Sequence, residues 1–391
     1  MWLAGTLSVD QLQPDDVVET AASDPQLLAA VVVGLVVVGL GLKLALGYLR
    51  RPAGAKFVRS LKKTDEVSVL LHPNPDPDAM ACGMAVARLC EHAGVDATLQ
   101  FPGEIRHQEN RAFRTVLELD LVHVESAADL VADDVILVDH NTARGFQGAQ
   151  GIEPYAVVDH HPGNGTGFEY TDIRTEFGAC STILAEYFDD LDAALGNGNG
   201  GDDSVVLPSR TATGMVFGIQ SDTNHLTKGC SAAEFEASSY LYPAVNEDLL
   251  DRIANPQVPA EVLQTKAKAI YECDVESPFA VCDLGAVSNV DAIPQAADEL
   301  MHLEGVSAVV VFGEKEGTIH LSGRARDDRI HMGEALRAVV ADIPMAEAGG
   351  HARMGGGQLS KDHMEGIGPS DGVSREEFKQ FLFDALAEGR Q

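Results

Sequence analysis

The chain carries four short clusters of carboxylates and imidazoles, separated by long apolar stretches. The first, HPNPDPDA, opens with His72 and sets Asp76 and Asp78 two residues apart. VDHN supplies Asp139, VVDHHPG supplies Asp159, His160 and His161, and QSDTNHL supplies Asp222. Carboxylate oxygens and imidazole nitrogens together bind hard and borderline divalent ions, so the set suits Mn²⁺, Mg²⁺ or Zn²⁺. The prolines of the first cluster stiffen its loop, which lowers the cost of ordering ligand residues. Asp76 and Asp78 can splay toward two neighbouring ions, and Asp139 is placed to bridge them. Each cluster alone reads as an ordinary turn or helix cap. Gathered at one edge, so many like charges repel unless cations lie among them.

The elements that would gather them are legible. VSVLLHP reads as a buried strand, AMACGMAVARLCEHAG as a helix ending at Gly94, ATLQFP as the next strand and NRAFRTVLELD as helical. DDVILVDHN and PYAVVDHHPG are two further strands, and TATGMVFGIQSDTNHL is a helix whose end carries Asp222. This alternation predicts an α/β fold with a doubly wound, mostly parallel sheet. In such sheets ligands bind beyond the carboxyl ends of the strands, where the clusters fall.

Leu191 to Ser209 is rich in Gly, Asn and Asp and reads as a surface insertion. Residues 244–274 form a helical connector. A smaller α/β unit follows, with FAVCDLG, then AVVVFGEKEGTIHLSGRA as a strand pair turning at Glu316-Gly317, and a Gly-rich loop, GGHARMGGG. Arg324, on the second of those strands, can fork onto a phosphate. Gly349, Gly350 and His351 form a loop where backbone can approach a nucleotide closely. His107 and Arg111 start a polar helix that either faces the cleft or is simply solvated. His225, just past Asp222, either touches metal or caps the helix end.

The ordered motifs HPNPDPDA, VDHN, VVDHHPG and QSDTNHL resemble those of the DHH phosphoesterase superfamily. SGRAR and GGHARMGGG resemble the DHH-associated, substrate-binding domain that follows it, and the likeness runs from about Lys56 to Ala387. It implies a DHH catalytic domain over 56–243 and a DHH-associated substrate-binding domain over 275–391. It implies two divalent cations, with Mn²⁺ expected and Mg²⁺ or Co²⁺ as substitutes. One would be held by His72, Asp76 and a bridging Asp139, the other by Asp78, Asp139, His160 and Asp222. Asp159 would orient a neighbouring imidazole, and His161 would lie near the scissile phosphate. The family's activities imply a phosphodiesterase acting on short oligonucleotides or on cyclic or linear dinucleotides. A nucleotide 3'-phosphatase or an inorganic pyrophosphatase on the same ions is the alternative. A membrane-tethered nucleotide sensor without turnover would lack a ligand, and none of the six is missing.

Composition bounds the rest. Sixty acidic residues stand against 28 basic ones, for a formal charge of -32 in 391 residues. That argues against broad binding to nucleic-acid backbones and so against long duplexes as partners. Acid dispersed along the whole chain suits a halophile's protein, since screening acts over about 3 Å at 1 M salt. The six cysteines form no CxxC pair and read as reduced thiols. Residues 27–49 form an apolar run with Lys43 as its one charge, acidic before and basic after. It reads as a single-pass transmembrane helix behind an acidic extracytoplasmic stretch over 1–26, with the catalytic part cytoplasmic at the cell membrane. A homodimer is left open.

Overall fold

The computed structural model describes residues 29, 33–34, 36–39, 51–105, 107–196, 204–367 and 372–389. Its contacts cluster into two compact units, Met1–Ile105 with Glu109–Ala254, and Arg106–Gln108 with Asn255–Gln391.

In the first unit, six strands form one all-parallel sheet in the order β3-β2-β1-β4-β5-β6. They are β1 (Glu66–Leu70), β2 (Asp96–Phe101), β3 (Val122–His123), β4 (Val135–Val138), β5 (Ala156–Asp159) and β6 (Tyr170–Ile173). Strands β4 and β5 read as apolar runs, and β1 as one broken only by Ser68 after the exposed Glu66, because both faces of the sheet are covered. Val67, Val69, Ile136, Val138, Ala156 and Val158 face one core, shared with helices α1 (Ala53–Leu61), α2 (Pro77–Ala93), α4 (Cys180–Asp190) and α5 (Ser209–Asp222). The alternate residues Leu70, Val135, Leu137 and Val157 pack on the other face, against Val124, Ala143 and Ala149. Chain order reverses between β1 and β4, so the crevice beyond their carboxyl ends lies at the topological switch point. Helix α3 (Gln108–Val116) stops earlier than its polar sequence suggested.

Helix α2 shows how locally the chain is specified. Asp76 caps its N-terminus, Pro77 opens its first turn, and Gly94 ends it in the left-handed region at φ 76°. The insertion after α4 contains a two-residue parallel pair, β7 (Ala194–Leu195) and β8 (Val206–Leu207). Helices α6 (Ala232–Leu241) and α7 (Glu247–Ala254) close the unit.

The second unit has helix α8 (Ala260–Glu272) and a mixed sheet in the order β13-β14-β12-β11-β10-β9. Its strands are β9 (Asp274–Glu276), β10 (Phe279–Ala286), β11 (Ala308–Lys315), β12 (Thr318–Ala325), β13 (Glu347–Gly350) and β14 (Met354–Ser360). Only β10 and β11 pair in parallel. Helices α8 and α9 (Ala292–Leu300) cover one face. Helices α10 (Met332–Val340) and α12 (Arg375–Glu388) cover the other, and α11 (Lys361–Met364) is a single turn between them. The turn at Glu316 and Gly317 forms as read, with φ 50° and 79° at the two positions.

Two expectations change. GGHARMGGG is not a loop: Gly349 and Gly350 lie in β13, and Gly355 to Gly357 lie in β14. Glycine carries no strand signal, but close packing demands it here. A Cβ on Gly357 would sit 2.8 Å from the Glu347 carbonyl oxygen, and one on Gly355 3.0 Å from Leu336. The membrane location is the second correction. Within 27–49 only 29, 33–34 and 36–39 are described, as helical residues, and the remainder lies outside the described residues. Among the described residues no helix is long and apolar enough to cross a membrane. Apolar composition with a charge asymmetry is not a span, which needs roughly 20 consecutive helical residues. The transmembrane helix and the cell-membrane location are therefore withdrawn.

Candidate metal centre

Beyond β1 the chain reaches His72, whose Nδ1–H donates to the Pro73 carbonyl at 3.0 Å. A carbonyl can only accept, so Nδ1 carries a proton and Nε2 is the nitrogen turned to the site. Asp76 splits its carboxylate. One oxygen accepts from the Ala79 amide at 3.0 Å, as the cap of α2, and the other lies 3.4 Å from His72 Nε2. His160, beyond β5, repeats the device of His72: its Nδ1–H donates to the Phe177 carbonyl at 3.1 Å and Nε2 is left free.

Both free nitrogens point at Asp139. This residue follows β4 with its amide still bonded to Val158, then turns through a left-handed φ of 61°. That conformation costs a non-glycine residue of order 1–3 kcal/mol, and such strain collects at functional sites. Asp139 is 1% exposed. One of its oxygens lies 3.5 Å from His72 Nε2 and the other 3.3 Å from His160 Nε2. Neither oxygen has a hydrogen-bond partner, and neither has His160 Nε2. A buried carboxylate oxygen facing an imidazole nitrogen needs a cation between them, a proton or a metal ion. Two donors about 2.1 Å from one ion sit roughly 3.0–3.4 Å apart. The separations found here fit that spacing.

Asp78 and Asp222 complete the second side. Asp78, in the first turn of α2, is fully buried. Its oxygens accept from the amides of Cys180 at 2.6 Å and Ser181 at 3.1 Å, the start of α4, where the helix dipole favours an anion. Gly218 of α5 makes room, since a Cβ there would be 2.8 Å from an Asp78 oxygen. Asp222, the last residue of α5, lies 3.3 Å from His160 Nε2. Among the described residues, His72, Asp76 and Asp139 form one metal-capable group, and Asp78, Asp139, His160 and Asp222 another. Asp139 also belongs to a third group, with His160 and His161. His225 belongs to none of them.

The electrostatics are those of an anionic cluster. Burial, then the charges of Asp222 and Asp139, pushes the Asp78 carboxyl well above its usual range. Burial raises Asp222 to about 6, against the pull of His160. Burial alone would lower both imidazoles. Asp139 and Asp76 outweigh it at His72, which rises to about 11, and Asp139 and Asp222 outweigh it at His160, which rises to about 12. Burial would also raise Asp139, but His160 and His72 hold it below the ordinary carboxylate range. Each shift reports a demand for positive charge that protons meet in part and divalent cations would meet fully.

Asp159 is fully buried and every contact it makes is used for positioning. One oxygen accepts the His161 amide at 3.0 Å and faces His161 Nδ1 at 2.9 Å, and the other accepts Asn141 Nδ2–H at 2.7 Å. The half-exposed His161 imidazole is raised by its bond to Asp159. Sequence reasoning gave no role to Asn141, His140 or the two α4 amides. His140 is buried, its pKa pushed down to about 4, and its Nδ1–H donates to Val138 at 2.9 Å. The VDHN motif held the signal for His140 and Asn141. Backbone amides leave none.

The remaining candidates lie in the second unit. Arg324, 8% exposed, forks onto Asp298 at 2.6 and 3.4 Å and donates to Ser322 Oγ and the Gly323 carbonyl. Gly350 ends β13 at φ 143°, and the exposed His351 starts the turn into β14, its amide bonded to the Met354 carbonyl. Arg324 pairs in register with Met354, so it shares that end of the sheet. His107 is exposed, and Arg111 lies on the exposed side of α3.

The model of the DHH family, N-terminal domain, matches residues 66–219, and that of the DHHA1 domain matches residues 276–383. The chain belongs to the DHH family. An uncharacterized protein of Methanocaldococcus jannaschii is 35% identical to this DHH chain over 294 residues, 72% of the chain and 58% of the relative. The cyclic-di-AMP phosphodiesterase GdpP of Geobacillus thermodenitrificans is 24% identical over 284 residues, 68% of the chain and 42% of the relative. A probable manganese-dependent inorganic pyrophosphatase of Streptococcus mutans is 32% identical over 193 residues, 47% and 54% of the two. The chain thus spans about half the length of these relatives. In fold it is similar to an exopolyphosphatase-related protein from Bacteroides fragilis, with TM-score 0.58 and 15% identity over 87% of this chain and 97% of that one.

Proposed function

We propose that this DHH chain is a hydrolase, a two-metal phosphoesterase that cleaves phosphodiesters in short oligonucleotides or in cyclic or linear dinucleotides. One observation carries the reading: both oxygens of the buried Asp139 lack partners while free imidazole nitrogens face them from either side. His72, Asp76 and Asp139 would hold one cation, and Asp78, Asp139, His160 and Asp222 the other. Manganese is the favoured metal, on the donor chemistry and on the manganese-dependent relative. When bound, the pair would supply Lewis-acid charge for a phosphoryl oxygen and acidify a water beside it.

The chain's own residues do the rest. Asp159 accepts Nδ1–H of His161 and raises its pKa, so the ring can carry a second proton on Nε2 and donate it to a departing oxygen. Buried carboxylates reject anionic side chains and accept the phosphate only in company with cations. In this reading 56–243 is the catalytic domain, 244–274 the connector and 275–391 the substrate-binding domain. Arg324, Gly349, Gly350 and His351 would grip the nucleotide. The relative named a cyclic-di-AMP phosphodiesterase matches over 68% of the chain, which supports a dinucleotide. A pyrophosphatase on the same ions is the second reading, favoured by likeness to the Streptococcus mutans protein.

Full-length protein with Mn²⁺, assayed on cyclic di-AMP, linear dinucleotides, a 3'-phosphonucleotide and pyrophosphate, separates them. Cleavage of the dinucleotides supports the phosphodiesterase. Phosphate release from pyrophosphate alone would overturn it.

A further inference from the structure

Segment 177–181 serves the second metal group three times. The Phe177 carbonyl orients His160 at 3.1 Å, and the Cys180 and Ser181 amides hold Asp78 at 2.6 and 3.1 Å. Gly178 packs beside Thr223, the neighbour of Asp222, so closely that a Cβ would lie 2.9 Å from the Thr223 methyl and 2.3 Å from the Gly229 carbonyl oxygen. The first group takes nothing from this segment: His72 leans on Pro73 and Asp76 on Ala79.

Glu234 pins the segment. With Ser231 it makes a capping box at the start of α6, where one carboxylate oxygen accepts the Ser231 amide at 2.5 Å and hydroxyl at 2.8 Å. A capping box uses only that oxygen. The other leaves its own helix and accepts the Gly178 amide at 2.8 Å, and the residue is 0% exposed. Capping glutamates ordinarily sit in solvent. Burial here would raise the Glu234 pKa, but the Ser231 and Gly178 amides lower it and keep it ionised.

We propose that Glu234 is a positioning residue for one cation of the pair, the one assigned to Asp78, Asp139, His160 and Asp222. It acts through segment 177–181 and does not act on the cation assigned to His72, Asp76 and Asp139. This rests on the two-metal reading above.

The test is Mn²⁺ binding to the full chain, titrated by electron paramagnetic resonance, with melting temperature recorded alongside. Wild type should show two sites. Glu234→Gln offers one acceptor where two are needed, so either Gly178 or Ser231 faces an amide N–H. It should weaken one site by about tenfold or more and leave the other unchanged, the scale seen when a ligand's supporting partner is lost. Ser231→Ala removes the cap hydroxyl but not the bond to Gly178. It should lower the melting temperature and leave both sites intact. If Glu234→Gln does not fold, Glu234→Asp keeps the charge, is too short to span both partners, and is read the same way. The role of Glu234 is overturned if its variant keeps both sites, weakens both equally, or behaves like Ser231→Ala. Wild type binding fewer than two Mn²⁺ would instead overturn the two-metal reading itself.

Discussion

Asp139→Asn separates the stability of the fold from the stability lent by metal. Asparagine keeps the shape of the side chain and tolerates the left-handed backbone at φ 61°. Without metal the variant loses the carboxylate that holds His72 and His160 raised, so below pH 6.5 it should melt no higher than wild type. Mn²⁺ should widen the gap. A site at a hundredfold excess over its dissociation constant stabilises by about 2.7 kcal/mol. Asp139 belongs to both groups, so its loss should remove roughly 5 kcal/mol, or ~10–20 °C of melting temperature for a unit of this size. Asp76→Asn, touching one group, should remove about half as much. The assay is thermal melting in chelator and across a Mn²⁺ titration. An Asp139→Asn protein that keeps the full metal-induced shift, or loses no more than Asp76→Asn, would refute the shared-carboxylate reasoning.

Gly218→Ala should be destabilising although alanine is the better helix former: the gain is about 1 kcal/mol, whereas crowding the Asp78 oxygen at 2.8 Å should cost about 1–3 kcal/mol and weaken Mn²⁺ binding. Metal-free protein should lose stability as pH rises. The raised imidazoles stabilise fully below their ordinary 6.5, and that contribution fades toward about 11 at His72. The raised carboxyls of Asp78 and Asp222 act in the same direction above 3.8. Mn²⁺ competes with those protons, so loaded protein should show the opposite slope, and melting curves from pH 5 to 9 with and without chelator check both signs. Arg324→Ala should raise KM for a dinucleotide by about tenfold or more, the worth of a charged hydrogen bond to phosphate, and should leave pyrophosphate hydrolysis unchanged. Steady-state kinetics on the two substrates reads the difference.

The first unit was legible because burial on both faces made β1, β4 and β5 mostly apolar. The turn at Glu316-Gly317 was legible because few residues accept positive φ. The ligand candidates were legible because titratable side chains at strand ends are chemically specific. What escaped notice leaves little trace in residue identity. The Cys180 and Ser181 amides that hold Asp78 are backbone, and Gly218 matters for an atom it lacks. The Ser231 to Glu234 spacing announces a cap, but the reach of its second oxygen to Gly178 is tertiary. The glycines of β13 and β14 read as loop because their reason, close approach of neighbouring backbone, lies in other parts of the chain. The membrane location drawn from the apolar run over 27–49 rested on composition and charge asymmetry, and among the described residues no helix is long and apolar enough to cross a membrane.

The most direct measurement is anomalous diffraction at the manganese edge from crystals of the full chain soaked in Mn²⁺. Two peaks should flank Asp139, one reached by His72 and Asp76 and the other by Asp78, His160 and Asp222. A single peak, or peaks that leave the Asp139 oxygens untouched, would contradict the two-metal site.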